Sequence, residues 1–581
     1  MKRILCLLLC AVMLCPVLVS CTRKIEGDGA IFEAYVASET FCFDPTFVAL
    51  DDNSAQYLSL IFEGLTKIGK NGKLEYALLD HYKYTKDDLR NEYKLTFYLK
   101  NSMWSDASAV TADDFLYSWK RLLSPDVSAS AASLLYDVKN ARAAKNSECS
   151  IDDVGISSIN SYTLEVIFDH DIDVDAFLRV CASIQLVPLR ETAIERNELT
   201  VENWAKRGGT LSVNGPFRVV SLDYATDTLT LQRNNFYLRE DDHPINKYVE
   251  PYRIVVNFVK NDNNEANGED LNAQLERFLN GETLFIGDLP LDKRAEYAKK
   301  GTVTESLSTM SLLINVNNSL LSSKDVRTAL SLAIDREELA KKVVFADAAT
   351  GLINNKVFDA TTKNSFRKVG GALISTKADV DAAKAKASSG SFTLTYKNTE
   401  EFAAVAEYLK SAWEAVGFTV KLNPVMSKGY NRNIDDQDLR FYNDELELAV
   451  RNGDFEVALL DFSMISTDAF ATLAQFALGF TGNTCDFEND WAVTGHVSGY
   501  NSAAYNEAIE KAYAEKDYAA RVKQLHECEK LLLEELPIIP LLFNKNFYMY
   551  SKELKDITHD YYGNVDLKEA YYKNYVQEVE E

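Results

Sequence analysis

Few groupings in this chain of 581 residues have the residue types and spacing that covalent chemistry needs. Ser365-Phe366-Arg367-Lys368 fits S-x-x-K, in which a lysine can activate a serine nucleophile, but neither S-D-N nor K-T-G accompanies it. A four-residue pattern arises by chance in a chain this long, so it assigns no catalytic residue. The six histidines, His81, His170, His243, His496, His526 and His559, are scattered, with no H-E-x-x-H and no close pair. Cys42, Cys149, Cys181, Cys485 and Cys528 are an odd set with wide spacings and no C-x-x-C. They argue against a zinc site or a disulfide framework, while one long-range bridge stays open. Asp113 and Asp114 are paired carboxylates, yet they stand at the start of a helical pattern, where capping accounts for them. There is no G-x-x-x-x-G-K-[ST], so the chain does not hydrolyse nucleotide itself. The expectation is no enzyme, no metal and no cofactor.

A formal charge of -25 and a pI near 4.8 exclude a nucleic-acid partner, whose phosphates are met by clustered Lys and Arg. Aromatic residues form 11% of the chain, which fills cores first and could line a cleft second. At the start, Lys2 and Arg3 precede an apolar run, Ile4 to Leu14, too short to span a bilayer; residues 1–20 read as a signal peptide. Leu18-Val19-Ser20-Cys21 resembles the bacterial lipobox, in which small residues admit the signal peptidase and the cysteine thiol receives the lipid. Cys21 is therefore the expected lipidation site, followed by a polar tether over 21–29. That places the protein outside the cytoplasm, held to the membrane by its lipid.

The elements that would position a site are best punctuated between Trp104 and Asp126. Tyr93 to Leu99 alternates as a half-buried strand, with Leu95, Phe97 and Leu99 on one face. A helix follows, begun by a Thr111-x-x-Asp114 capping pair, carrying Phe115, Trp119, Leu122 and Leu123 at helical spacing. Lys120 and Arg121 suit its last turn, and Pro125 stops it. The residue order resembles W-S-D-G-x-P-V-T-A-x-D-F-x-x-S-x-x-R, the signature of the family 5 solute-binding proteins, the oligopeptide and dipeptide receptors of ABC importers. Ala107 and Ala109 stand where that signature has Gly and Pro, so the turn lacks its φ > 0 specialist and its rigid residue.

Four further stretches resemble the family in order. They are Phe43-Asp44-Pro45 with Glu63-Gly64-Leu65, Asn214-Gly215-Pro216-Phe217 with Asn234-Asn235-Phe236-Tyr237, VRTALSLAIDREEL from Val326, and Pro537-Ile538-Ile539-Pro540. In the third, Ser322 with Asp325 and Asp335 with Glu338 read as capping pairs, and Arg327 and Arg336 as structural ion-pair partners. Phe392 to Tyr396, Glu400 to Val416 and Phe418 to Leu422 read as strand, helix and strand.

The resemblance implies an α/β fold of the large two-lobed periplasmic-binding-protein type with an additional inserted α+β domain. The expected division is lobe I over 30–65, 186–307 and 539–581, the insertion over 66–185, and lobe II over 308–538. It further implies a monomer that captures oligopeptides by lobe closure and delivers them to ABC permease subunits. The alternatives are a receptor for a non-peptide solute, or an envelope peptide sensor. The loop after the D-P pair borders the ligand cleft in such proteins, which makes Asp51 a candidate. Many of them carry G-W-x-A-D-Y-x-[DE]-P after a buried strand, and its first Asp pairs with the ligand's α-ammonium. Here a gapless match puts Phe462 at the Trp, Ile465 at that Asp and Asp468 at the second acid. Either Asp461 or Asp468 faces the cleft in its place, or no free amine is clamped there. Phe462 and Ser463 are expected to line the cleft, while Asp468 has the competing role of capping a helix from Ala469 to Leu478.

Overall fold

The computed structural model describes residues 30–35, 43–46, 52–196, 204–206, 211–223, 226, 228–237, 249–257, 268–425, 445–482 and 495–572. Cys21, its leader and tether, Asp51, Cys42, His243 and Cys485 lie outside them.

The local signals around Trp104 hold. Strand Glu92–Leu99 buries every second residue, and helix Ala112–Leu123 starts at Thr111 with Asp114 completing a capping box. Asp114 Oδ2 accepts from the Thr111 amide at 2.7 Å and from the buried indole of Trp104 at 3.3 Å, so the turn and the helix share one carboxylate. Between them Ala107 takes φ 69°, the left-handed conformation that the glycine of the family signature would adopt freely. Strand Glu92–Leu99 is the second of a four-stranded antiparallel sheet ordered Leu79–Asp87, Glu92–Leu99, Thr163–Phe168, Ile156–Asn160.

The separate motifs are tied together by buried polar contacts. Arg121 grips Asp44 with two bonds, Nη1 to Oδ1 at 3.0 Å and Nη2 to Oδ2 at 2.6 Å; Trp204 Nε1 adds a third at 3.0 Å. The arginine that sequence assigns to a helix dipole is therefore a buried ion-pair partner for the D-P aspartate. Asn214 exchanges side-chain bonds with the main chain of Glu63, at 3.1 and 2.8 Å. Next to it Gly215 passes so close to the preceding helix, Asp52–Ile61, that a Cβ would lie 2.4 Å from the carbonyl carbon of Ile61. Arg327 and Arg336 are structural, but not as ion pairs. They donate to main-chain carbonyls, Arg327 to those of Glu535, Leu321 and Ser322 and Arg336 to those of Pro540, Ser331 and Ser375. The VRTALSLAIDREEL stretch breaks at Asp335 into helices Lys324–Leu332 and Arg336–Val343. The first is capped by Ser323, one residue beyond the expected Ser322.

Among the described residues, one sheet of eleven strands runs through both lobes. On one side lie Phe285–Ile286, Ile31–Tyr35, Arg253–Asn257, Thr228–Arg233 and Phe217–Asp223; on the other lie Val457–Ser463, Gly390–Lys397 and Phe418–Val425, and the short strand Ala346–Ala348 pairs with Ile538–Tyr550 off this path. Gly390–Lys397 and Phe418–Val425 flank helix Glu400–Glu414 and are parallel, and Gly417 at φ 107° turns the chain between helix and strand. Two long antiparallel strands, Thr302–Ile314 and Ile538–Tyr550, occupy the middle and belong to both halves. Their register shifts between Glu305, opposite Lys545, and Thr309, opposite Phe543, so Ser306, Leu307 and Ser308 face Asn544 alone. The carbonyls freed by this bulge are met by distant groups: Asn354 Nδ2 donates to Ser306 and Ser308, and the Met464 amide to Leu307. No described helix is long and apolar enough to cross a membrane, and among the described residues Cys149, Cys181 and Cys528 are free thiols.

Candidate functional site

The bulge forms the floor of a groove between the lobes. On one face of the central strands, Asn544 Nδ2 donates to Ser308 Oγ at 2.9 Å and to Asp461 Oδ1 at 2.6 Å, and Ser306 Oγ lies 3.2 Å from Ser308 Oγ. Further along, the Tyr548 hydroxyl reaches Gln56 Oε1 at 3.3 Å and the Gly563 carbonyl at 2.8 Å. Two cavities lie over this polar floor, of about 240 and 210 Å³, and share Gln56, Ser306 and Asn546. The first is walled by the end of helix Asp52–Ile61 and the Glu63-Gly64 turn, by Ser183 and Gln185 of the inserted segment, by Ser463 to Ser466, and by Asp560 to Asp566. The second is bounded by Asp288 and Arg294 from one lobe and Lys397, Glu400 and Glu401 from the other. Here Arg294 pairs with Glu401 at 2.6 Å and with Asp288 at 3.0 Å, and Glu400 accepts from the Leu291 amide at 2.9 Å.

The residues singled out from sequence fall in different places. Ser463 lines the first cavity and Asp461 the second. Phe462 does not face the groove: successive strand residues point to opposite faces, and its ring packs in the core against Phe476 at 5.8 Å. Ile465 contributes an apolar surface to the first cavity. Asp468 caps helix Ala469–Ala474 through the Phe470 amide at 2.8 Å and accepts from the Tyr518 hydroxyl at 2.9 Å. It lines neither groove cavity, so the capping role is the one the structure gives it. Ser365 of S-x-x-K is likewise an N-cap, for helix Phe366–Gly370.

Several groove residues carry no warning in the sequence. Asp560 accepts from the Asn564 amide at 2.9 Å and its Nδ2 at 3.1 Å, but burial outweighs these bonds and pushes its carboxyl up to about 6. Tyr237, on the N-x-x-Y motif, lies beside both Glu63 and Asp566, and burial raises its hydroxyl well above the usual range. Glu63 is visible as part of E-G-L, although that pattern says only that a helix ends there. Among the described residues, no group of three His, Cys, Asp or Glu could hold a metal ion.

Two long shared strands with a groove over the break in their pairing are the frame on which the site is built. The chain belongs to the bacterial extracellular solute-binding proteins, family 5, whose pattern matches residues 74–484. It is similar to the dipeptide-binding protein DppE of Bacillus subtilis, 26% identical over 561 residues that cover 94% of this chain and 92% of the relative. Among solved structures, the pheromone receptor PrgZ superposes with a TM-score of 0.76 at 20% identity, covering 93% of this chain and 99% of the receptor. Peptide-bound OppA of Listeria monocytogenes gives 0.73 at 19% identity, covering 95% and 100%.

Proposed function

We propose that this protein is a lipid-anchored extracytoplasmic receptor that captures oligopeptides by closing its lobes and hands them to an ABC importer. The observation that carries the reading is the position of the strand bulge. The break between Glu305 and Thr309 lies directly under the two adjoining cavities. A rotation there would open the groove without disturbing the ladders on either side. Two adjoining cavities over one polar floor suit an extended chain better than a compact solute, since an extended chain advances about 3.3 Å per residue. Relatives named for dipeptide and oligopeptide binding support the same ligand class. Cys21 supplies the anchor in this reading, and Ser463 and Asp461 meet the ligand from lobe II.

The decisive experiment is mass spectrometry of ligand co-purified with the mature protein from its native host. Peptides of mixed sequence are expected, and X-ray scattering should show a smaller radius of gyration with a recovered peptide than without it. Recovery of a single non-peptide solute would overturn the ligand class; unchanged dimensions with a verified ligand would overturn the hinge. For the anchor, Cys21→Ala should move the protein out of the membrane fraction, and its retention there would refute lipidation.

A further inference from the structure

The first cavity has an acidic, acceptor-rich wall. Glu63, Asp560 and Asp566 all line it; Tyr237 hydrogen-bonds one oxygen of the Glu63 side chain, leaving the other without a partner, and lies beside Asp566. Lys67 is shared at 4.0 Å between Glu63 and Glu75, and Lys568 also borders the space. Acidity alone would be unremarked in a chain of charge -25. The informative feature is a set of buried polar atoms with no hydrogen-bond partner: Glu63 Oε2, Gln185 Oε1 and Ser183 Oγ. The Glu63 side chain is 10% exposed and Gln185 and Ser183 are each 5% exposed. They come from adjoining pieces of backbone, since a Cβ on Gly64 would lie 3.5 Å from the carbonyl of Cys181 and 3.6 Å from Val187. Unpaired buried acceptors are costly, and native proteins rarely keep several together.

The two fixed atoms are acceptors only, and a hydroxyl adapts to either role. A group that satisfies all three is a donor with several N–H bonds and a positive charge. Among the described residues no group of three His, Cys, Asp or Glu is placed to hold a metal ion. We infer that Glu63, Gln185 and Ser183, backed by Asp566, form a subsite for an organic cation of the ligand, an ammonium or a guanidinium. This deepens the peptide reading and rests on the groove being the ligand site. It places the ligand's cation between the Glu63-Gly64 turn and the segment around Ser183 and Gln185, in the cavity that Ile465 also lines.

The test is titration calorimetry of the full mature protein with four probes: tetra-alanine, N-acetyl-tetra-alanine, an N-acetylated tetrapeptide with one lysine, and spermidine. The two peptides bearing an ammonium should bind at least tenfold more tightly than N-acetyl-tetra-alanine. Glu63→Gln should weaken those two by roughly 10- to 100-fold, the loss of one charge-assisted contact. It should leave N-acetyl-tetra-alanine unchanged. Gln185→Leu, which leaves the charge in place, should give a smaller loss in the same direction and guards against a folding defect in the first variant. Equal binding of all three peptides, or a cation preference that survives Glu63→Gln, would overturn the subsite and leave the peptide reading standing. Binding of spermidine alone, lost in Glu63→Gln, would uphold the subsite and overturn the peptide reading. Binding of none of the four would overturn the subsite.

Discussion

Replacing Ala107 by glycine should stabilise the protein, and the size of the gain follows from local geometry. Ala107 sits at φ 69° in a tight turn whose amide donates to the Trp104 carbonyl at 2.9 Å. Holding a residue with a Cβ in this left-handed region costs roughly 1–2 kcal/mol. Glycine escapes that cost but gives back roughly 0.5–1 kcal/mol through the greater freedom of its unfolded chain. The methyl group of Ala107 is exposed, so its removal sacrifices no packing. The net expectation for Ala107→Gly is a gain of up to about 1.5 kcal/mol, centred near the middle of that range. Urea denaturation of the mature chain, followed by tryptophan fluorescence, should show a higher midpoint with an unchanged slope. Ala107→Val makes the opposite test, because a β-branched residue tolerates this region least. A glycine variant no more stable than the parent, or a valine variant equal to it, would refute the claim that the turn is strained.

Arg121→Met should cost about 3–5 kcal/mol by leaving Asp44 charged and buried, and Asp44→Asn in the same chain should recover much of it; denaturant melts of the four forms give the coupling. Gly215→Ala should destabilise by roughly 1–3 kcal/mol, since its Cβ would meet the Ile61 backbone, and thermal unfolding would register it. The Asp560 carboxyl is raised to about 6 from an ordinary value of 3.8, so the folded state favours its neutral form. Its contribution is therefore fully present below pH 4 and lost as pH rises through about 6. Asp560→Asn should match the parent near pH 4 and exceed it at pH 7.5 by on the order of 1–3 kcal/mol, read as the difference between two stability–pH curves.

What the sequence made legible was local. Capping pairs and strand alternation act within a few residues, and Thr111 and Asp335 appear in those roles. Contacts between distant segments were hidden even where their residues were in view. Arg121 and Asp44 both stood inside quoted motifs, yet a charge near a helix end has a sufficient local explanation, and nothing in one chain names its partner 77 residues away. Phe462 is a different kind of miss. Its neighbour Ser463 faces the groove, and side chains alternate along a strand, so Phe462 turns to the core. The acidic wall had no signal because its parts come from residues 63, 183–185 and 560–566, which only the tertiary fold assembles.

The strand Ile538–Tyr550 has a bearing on how the chain reaches its native state. Its first half completes the sheet of one lobe and its second half that of the other, beside the same partner strand. Neither lobe can close its central ladder from the residues that precede it, so both depend on pairing across more than two hundred positions of sequence. Such non-local closure delays folding. Until residues 538–550 arrive, the preceding chain holds unfilled sheet edges in both halves. A cut before Ile538 would thus unmake two lobes at once, and the lobes should melt together rather than in sequence.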